Sequence, residues 1–115
     1  MKFQKINLFV REYQRLSPQE REKFLETLSV FISACKHFEK HPDAFIWPAA
    51  LRFEKLVGFN EVYAITWSFK QPDGRATFHM EIISGEVWIT WRRIGRHEIY
   101  KTLSPRTTKL PNPED

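Results

Sequence analysis

The sequence predicts an α+β fold in which an N-terminal helical hairpin packs on a curved antiparallel sheet of three to four strands. Three observations carry this. Two amphipathic stretches ahead of Pro42 repeat their apolar residues at helical spacing. Three runs rich in aromatic and β-branched residues follow between Glu61 and Leu103, separated by the turn signals Pro72-Asp73-Gly74 and Ser84-Gly85. Helical and strand patterns are segregated along the chain rather than alternating, as in α+β domains.

The first helix rests on Ile6, Phe9, Val10 and Tyr13, spaced i, i+3, i+4, i+7, and ends near Leu16. Ser17-Pro18-Gln19-Glu20 starts the second. Ser17 can cap, Pro18 suits the first helical position, and Glu20 can reach back to complete a capping box. That helix aligns Phe24, Leu25, Leu28, Phe31, Ile32, Cys35 and Phe38 on one stripe. A lone cysteine within such a stripe reads as a buried, inert thiol rather than a redox group. The helix should stop before His41-Pro42, because proline drives the residue before it out of the helical region. Phe45-Ile46-Trp47-Pro48 then reads as an apolar loop against the sheet edge, and Ala49 to Leu56 as one or two helical turns that Gly58 breaks.

The strand registers can be read outward from the turns. Closing a hairpin on Ser84-Gly85 sets Ile82 opposite Val87, Met80 opposite Ile89 and Phe78 opposite Trp91. Closing the first over Gln71 to Gly74 sets Phe69 opposite Ala76, Trp67 opposite Phe78 and Ile65 opposite Met80. Both place the large apolar side chains, from Tyr63 to Trp91, on one face, which a one-residue slip would turn out to water. The other face collects Thr66, Ser68, Arg75, Thr77, His79, Glu81, Trp88, Thr90 and Arg92, free to meet solvent or a ligand. A fourth segment follows Gly95. Residues 1–103 read as a single domain, and 104–115, with three prolines and few hydrophobes, as a mobile tail.

The composition fits a single compact core: 42% of the 115 residues are hydrophobic, with ten Phe and four Trp. A net charge of +4 is compatible with a polyanionic partner without requiring one. The single Cys35 excludes an internal disulfide and fits a reducing cytoplasm. No apolar run approaches the ~18 residues of a membrane span, and no signal peptide is evident, so a cytoplasmic protein is expected with no membrane partner.

Chemistry-bearing residues gather at one end of the sheet: Arg92, Arg93, Arg96, His97 and Lys101, with Arg75 and His79 on the neighbouring strand. The turn registers set His79 beside Thr90, Thr77 beside Arg92, and Arg75 near Ile94 and Gly95. Two readings follow. One is a solvated face whose arginines balance Glu81, Glu86 and Glu98. The other is a phosphate-binding or RNA-cleaving surface. RNA cleavage without a metal needs a base for the 2′-hydroxyl, an acid for the leaving oxygen, and cations at the phosphate where charge accumulates. His and Arg supply these. His37 and His41 are spaced i, i+4 but read as residues near a helix C-terminus rather than metal ligands, and no cofactor motif is present.

Lys55-Leu56-Val57-Gly58, Val62-Tyr63-Ala64-Ile65, Gly74-Arg75 and Ile94-Gly95-Arg96-His97-Glu98-Ile99-Tyr100, in this order after two helices, resemble the RelE/ParE superfamily of bacterial type II toxin–antitoxin toxins. The resemblance spans roughly Ile6 to Leu103. It implies a RelE-like fold and a cognate antitoxin protein as partner. The RelE branch is a ribosome-dependent mRNA endoribonuclease (an mRNA interferase) that inhibits translation; the ParE branch binds DNA gyrase. It further implies catalytic roles for Arg75 and Arg96 on the phosphate, His97 as acid or base, and Tyr100 in stacking or positioning. His79, Arg92, Arg93 and Lys101 would then bind substrate. RelE-like toxins often read Tyr-Arg-Ile-Arg on the first main strand, where this chain reads Tyr63-Ala64-Ile65-Thr66. That departure keeps the gyrase-binding and non-catalytic alternatives open. Antitoxin capture would use Phe45-Ile46-Trp47 or an open sheet edge.

Overall fold

A computed structural model describes residues 1–67 and 73–96. The elements are β1 (Lys2–Lys5), α1 (Asn7–Gln14), α2 (Pro18–Lys40), a 3₁₀ turn (Ala49–Leu51), β2 (Glu54–Lys55), β3 (Val62–Thr66), β4 (Gly74–Ile83) and β5 (Glu86–Arg96). They form a five-stranded sheet in the order β1-β5-β4-β3-β2, with both helices on one face. The α+β expectation holds. The predicted tail lies outside the described residues.

The sheet is larger than the predicted three or four strands because short segments join at both edges. β1 pairs in parallel with β5, Lys2 opposite Trp88 and Lys5 opposite Trp91. Its sequence, Lys-Phe-Gln-Lys, carries no strand-forming run, so only the tertiary pairing makes it a strand. Its lysines suit an edge position, where charge discourages further pairing. At the far edge, β2 adds two residues opposite Tyr63 and Ala64. β5 runs through Gly95, which pairs with Arg75, to Arg96, and the rest of the segment predicted after Gly95 lies outside the described residues.

α2 begins as its sequence dictates. The Glu20 amide donates to Ser17 Oγ at 3.1 Å, and the Ser17 amide donates to Glu20 Oε1 at 2.8 Å. It ends at Lys40, with His41 as its cap, ahead of Pro42. Phe24, Phe31, Ala34 and Cys35 are buried, whereas Leu25 is 52% exposed and lies at the margin of the stripe. Burial pushes the Cys35 thiol up to about 12. Phe31 is the centre of the packing: its ring meets Phe78 at 4.9 Å, Trp91 at 5.5 Å and Trp47 at 6.0 Å.

Trp47 also stacks on Phe53 at 4.0 Å with the rings nearly parallel. The apolar loop therefore packs into the α2 side of the core through Trp47 instead of lying on a sheet edge, and Ile46 is left 87% exposed. Beyond it the predicted helical turns shrink to the 3₁₀ turn, since Glu54 and Lys55 are taken up by β2.

The second hairpin has the expected register, Ile82 opposite Val87 through Phe78 opposite Trp91. Ser84 and Gly85 take φ of +52° and +79°, the pair of positive values that a two-residue turn between twisted strands requires. The first hairpin differs by four residues: Ile65 lies opposite Ala76 and Tyr63 opposite Phe78. The cause is Gly74. A Cβ there would fall inside the Trp67 indole, so only glycine lets this ring lie across the strand, while the Trp67 amide donates to the Gly74 carbonyl at 3.1 Å. An even shift preserves parity, so Ile65, Trp67 and Phe78 remain in the core as predicted.

Gly74→Ala should therefore destabilise the fold by about 1–3 kcal/mol, read as a lower urea midpoint at unchanged slope. Native Cys35 should resist iodoacetamide at pH 8 and react only when the chain is unfolded in urea, since reactivity requires an accessible thiolate.

Candidate functional site

The face of the sheet turned away from the helices carries the candidate site. β4 places Arg75, Thr77 and His79 there, two residues apart, by strand alternation. β5 contributes Trp88, Thr90 and Arg92. Thr90 lies opposite His79, as the turn register predicts, and Gly95 rather than Ile94 lies opposite Arg75. Between them the ladder skips a residue. Phe78 faces Trp91, but Thr77 faces Arg93, so Arg92 is the extra residue of a β-bulge rather than the partner of Thr77.

This bulge re-sorts the basic cluster. Arg93 turns to α1 and is gripped by Glu12, Nε to Oε1 at 2.9 Å and Nη2 to Oε2 at 2.7 Å. The same carboxylate accepts from the Ile94 amide at 3.3 Å, and Thr77 Oγ1 accepts from the Arg93 amide at 3.1 Å. Ile94 enters the core. Arg96 pairs with Glu20 of α2 at 3.0 Å. The Ser17 amide chiefly, then the Ser17 hydroxyl and Arg96, hold the Glu20 carboxyl below its ordinary range. Arg93 and Arg96 are thus engaged by carboxylates of α1 and α2, while Arg75, His79 and Arg92 share the face away from the helices. His97, Tyr100 and Lys101 lie outside the described residues.

The shared face is less open than alternation suggests. Val62, Ala64, Thr66, Thr77 and Arg92 are all buried, and exposure is confined to positions such as Glu81. Arg75 is held by Asp73, Nη1 to Oδ2 at 3.5 Å, and the same carboxylate takes Arg52 at 3.3 Å. Pro72-Asp73-Gly74 reads in sequence as a turn former, and nothing in it marks Asp73 as a bridge between two arginines. His79 Nε2 lies 3.5 Å from Glu81 Oε1. Burial lowers the His79 pKa from its ordinary 6.5; Glu81 and Glu61 oppose that shift and Arg92 adds to it. The imidazole is neutral at pH 7 and can both donate and accept a proton.

Arg92 is 4% exposed, and its Nε and Nη1 have no hydrogen-bond partner among the described residues. On the helix side, an apolar groove of about 710 Å³ opens between β1, α1 and α2, lined by Phe3, Val10, Leu25, Leu28 and Ile32 among others. Among the described residues no three His, Cys, Asp or Glu side chains gather as a metal-binding group, and no helix is long and apolar enough to cross a membrane.

The His79 imidazole should titrate below 6.5 by NMR, moving upward in Arg92→Met and further downward in Glu81→Gln. Because the folded state resists this protonation, the unfolded chain binds the proton first as pH falls. The His79 contribution to stability should accordingly be full above pH 6.5 and be lost as pH falls from there towards the lower folded-state pKa, seen as a falling urea midpoint that His79→Gln flattens.

No protein-family model matches this chain, and no curated protein matches it in sequence. Among solved structures it is similar to a chain of the intact E. coli RelBE toxin–antitoxin complex, with a TM-score of 0.51 and 18% identity, over 84% of this chain and 96% of that one. The fold is therefore similar to that of a chain of this complex, and here two helices lie on one face of a five-stranded sheet whose opposite face bears Arg75, His79 and Arg92.

Proposed function

We propose that this protein is the toxin of a type II toxin–antitoxin pair and an endoribonuclease that cuts mRNA on the ribosome, acting in the cytoplasm. The observation that carries this is the RelBE-like fold with Arg75, His79 and Arg92 on the sheet face free of helices. Arg75, oriented by Asp73, supplies positive charge to the phosphate as it becomes pentavalent. His79, neutral near pH 7, is suited to take the 2′-hydroxyl proton or return one to the leaving oxygen. By resemblance, His97 supplies the second acid–base group, Tyr100 stacks on a base and Lys101 extends the binding surface, whereas Arg93 and Arg96 are engaged by Glu12 and Glu20 of the helices and stay out of the phosphate site. The groove between β1, α1 and α2 suits the apolar face of an antitoxin helix. Trp47 is committed to the core, which leaves Ile46 as the accessible part of its loop.

A second reading is favoured by Ala64 and Thr66, which put no cation on β3 and are buried. On that reading the chain is a gyrase-binding toxin, and the same face is an interaction surface without catalysis.

Induction of the wild type should create new mRNA 5′ ends inside translated codons, mapped by sequencing. Arg75→Ala should reduce them on the order of 100-fold while leaving the circular dichroism spectrum intact. Growth arrest with DNA breaks and no new ends would instead establish the gyrase reading.

A further inference from the structure

The guanidinium of Arg92 is at odds with the packing around it. Buried charges in proteins are paired, because an unpaired one forfeits hydration without return. Its neighbours follow that rule. Arg93 has Glu12, Arg75 and Arg52 share Asp73, and His79 has Glu81. Arg92 is as buried as the core around it, yet its Nε and Nη1 meet no acceptor among the described residues. Asp73 and Glu12 are each engaged with other arginines, and Glu81 lies against His79. The neighbouring hydroxyls are engaged too: Thr77 Oγ1 takes the Arg93 amide and Thr90 Oγ1 meets Gln4 at 3.4 Å.

Position adds to this. The bulge singles out Arg92, and bulges commonly re-aim one side chain at a functional point on a sheet. The side chain lies on the face that carries Thr77, between the strand positions of Arg75 and His79, which are ~13 Å apart along β4. Burial, with Arg93 contributing, holds its pKa below the ordinary arginine value, and an arginine side chain stays charged in proteins. A lasting cation with unfilled N–H donors, between a second arginine and a neutral imidazole donor, is complementary to one chemical class: a tetrahedral oxyanion with several acceptors, which guanidinium binds through paired hydrogen bonds.

We infer that Arg92 is the anchor of a phosphate-binding site on the helix-free face, its missing partner being a phosphate oxygen of the ligand. Resting on the proposed function, this makes Arg92 the group that seats a phosphodiester of single-stranded RNA between Arg75 and His79. The unliganded protein carries the unpaired charge as a cost to stability that phosphate relieves.

The test compares wild type with Arg92→Met, which keeps an unbranched apolar stem but removes the charge. In phosphate-free buffer, Arg92→Met should melt at a higher temperature than wild type. Inorganic phosphate, against chloride of matched ionic strength, should raise the wild-type melting temperature and leave that of Arg92→Met in place. A non-cleavable 2′-O-methyl tetraribonucleotide should bind about 10- to 100-fold more weakly to Arg92→Met than to wild type. A lower melting temperature for Arg92→Met without phosphate, or an equal response of both proteins to phosphate, would overturn the inference. A response to inorganic phosphate with no difference in oligonucleotide binding would also overturn it as an RNA site, leaving a free-phosphate site only. Arg92-dependent binding of both probes without mRNA cleavage in cells would sustain the site and reject the nuclease reading.

Discussion

One extra residue in β5 sets the arrangement of charge in this molecule. Had Arg92 continued the regular ladder, Arg92 would have stood opposite Thr77, and every side chain beyond it would have faced the other way. The bulge instead brings Ile94 into the core and aims Arg96 at α2. Arg93 meets Glu12 of α1, and Arg92 stays on the far side with Arg75 and His79. A stretch that reads as a uniform basic run, Arg92 to Arg96, is thereby divided between two surfaces. The division is fixed by hydrogen bonds as well as sterics, since Glu12 accepts from the Ile94 amide while gripping Arg93.

The helices contribute more than an apolar cover. They deliver carboxylates to β5, Glu12 from α1, and Glu20 and Glu39 from α2, and Glu20 does so while completing the capping box that starts its own helix. Helix initiation, charge balance and strand position are therefore coupled through a single side chain. The aromatic core is organised in the same economical way. Phe31 touches Phe78, Trp91 and Trp47, so α2, β4, β5 and the connector after α2 all pack on one ring.

Much of this was legible in the sequence because the governing interactions were local. The capping box at Ser17, the stop before Pro42 and the Ser84-Gly85 hairpin depend on residues within a few positions of one another. The buried Cys35 and the apolar face followed from periodicity alone. The rest depended on distant partners. β1 carries no strand-like run and exists through β5. The first hairpin was misplaced by four residues because the fit of Trp67 over Gly74 is a contact of volumes, which turn preferences do not encode. At the site, Arg75 and His79 were correctly placed on one face, but the bulge separated Arg93 and Arg96 from it. Neither Glu12 nor Asp73 gave any sign of its role, since a single acidic residue on a helix or in a turn ordinarily reads as solvated.

The parallel pairing of β1 with β5 has a consequence for how the chain comes into being. Lys2 leaves the ribosome long before its partner Trp88, 86 positions further along the chain. The apolar stripes of α1 and α2 find Trp91 and Phe78 only after both have been translated. Throughout the intervening synthesis the helical hairpin is a nascent segment with an unfilled apolar face, and the order of release runs opposite to the order in which long-range contacts can close. Any partner that recognises that face therefore has access to it during translation, before the finished protein exists.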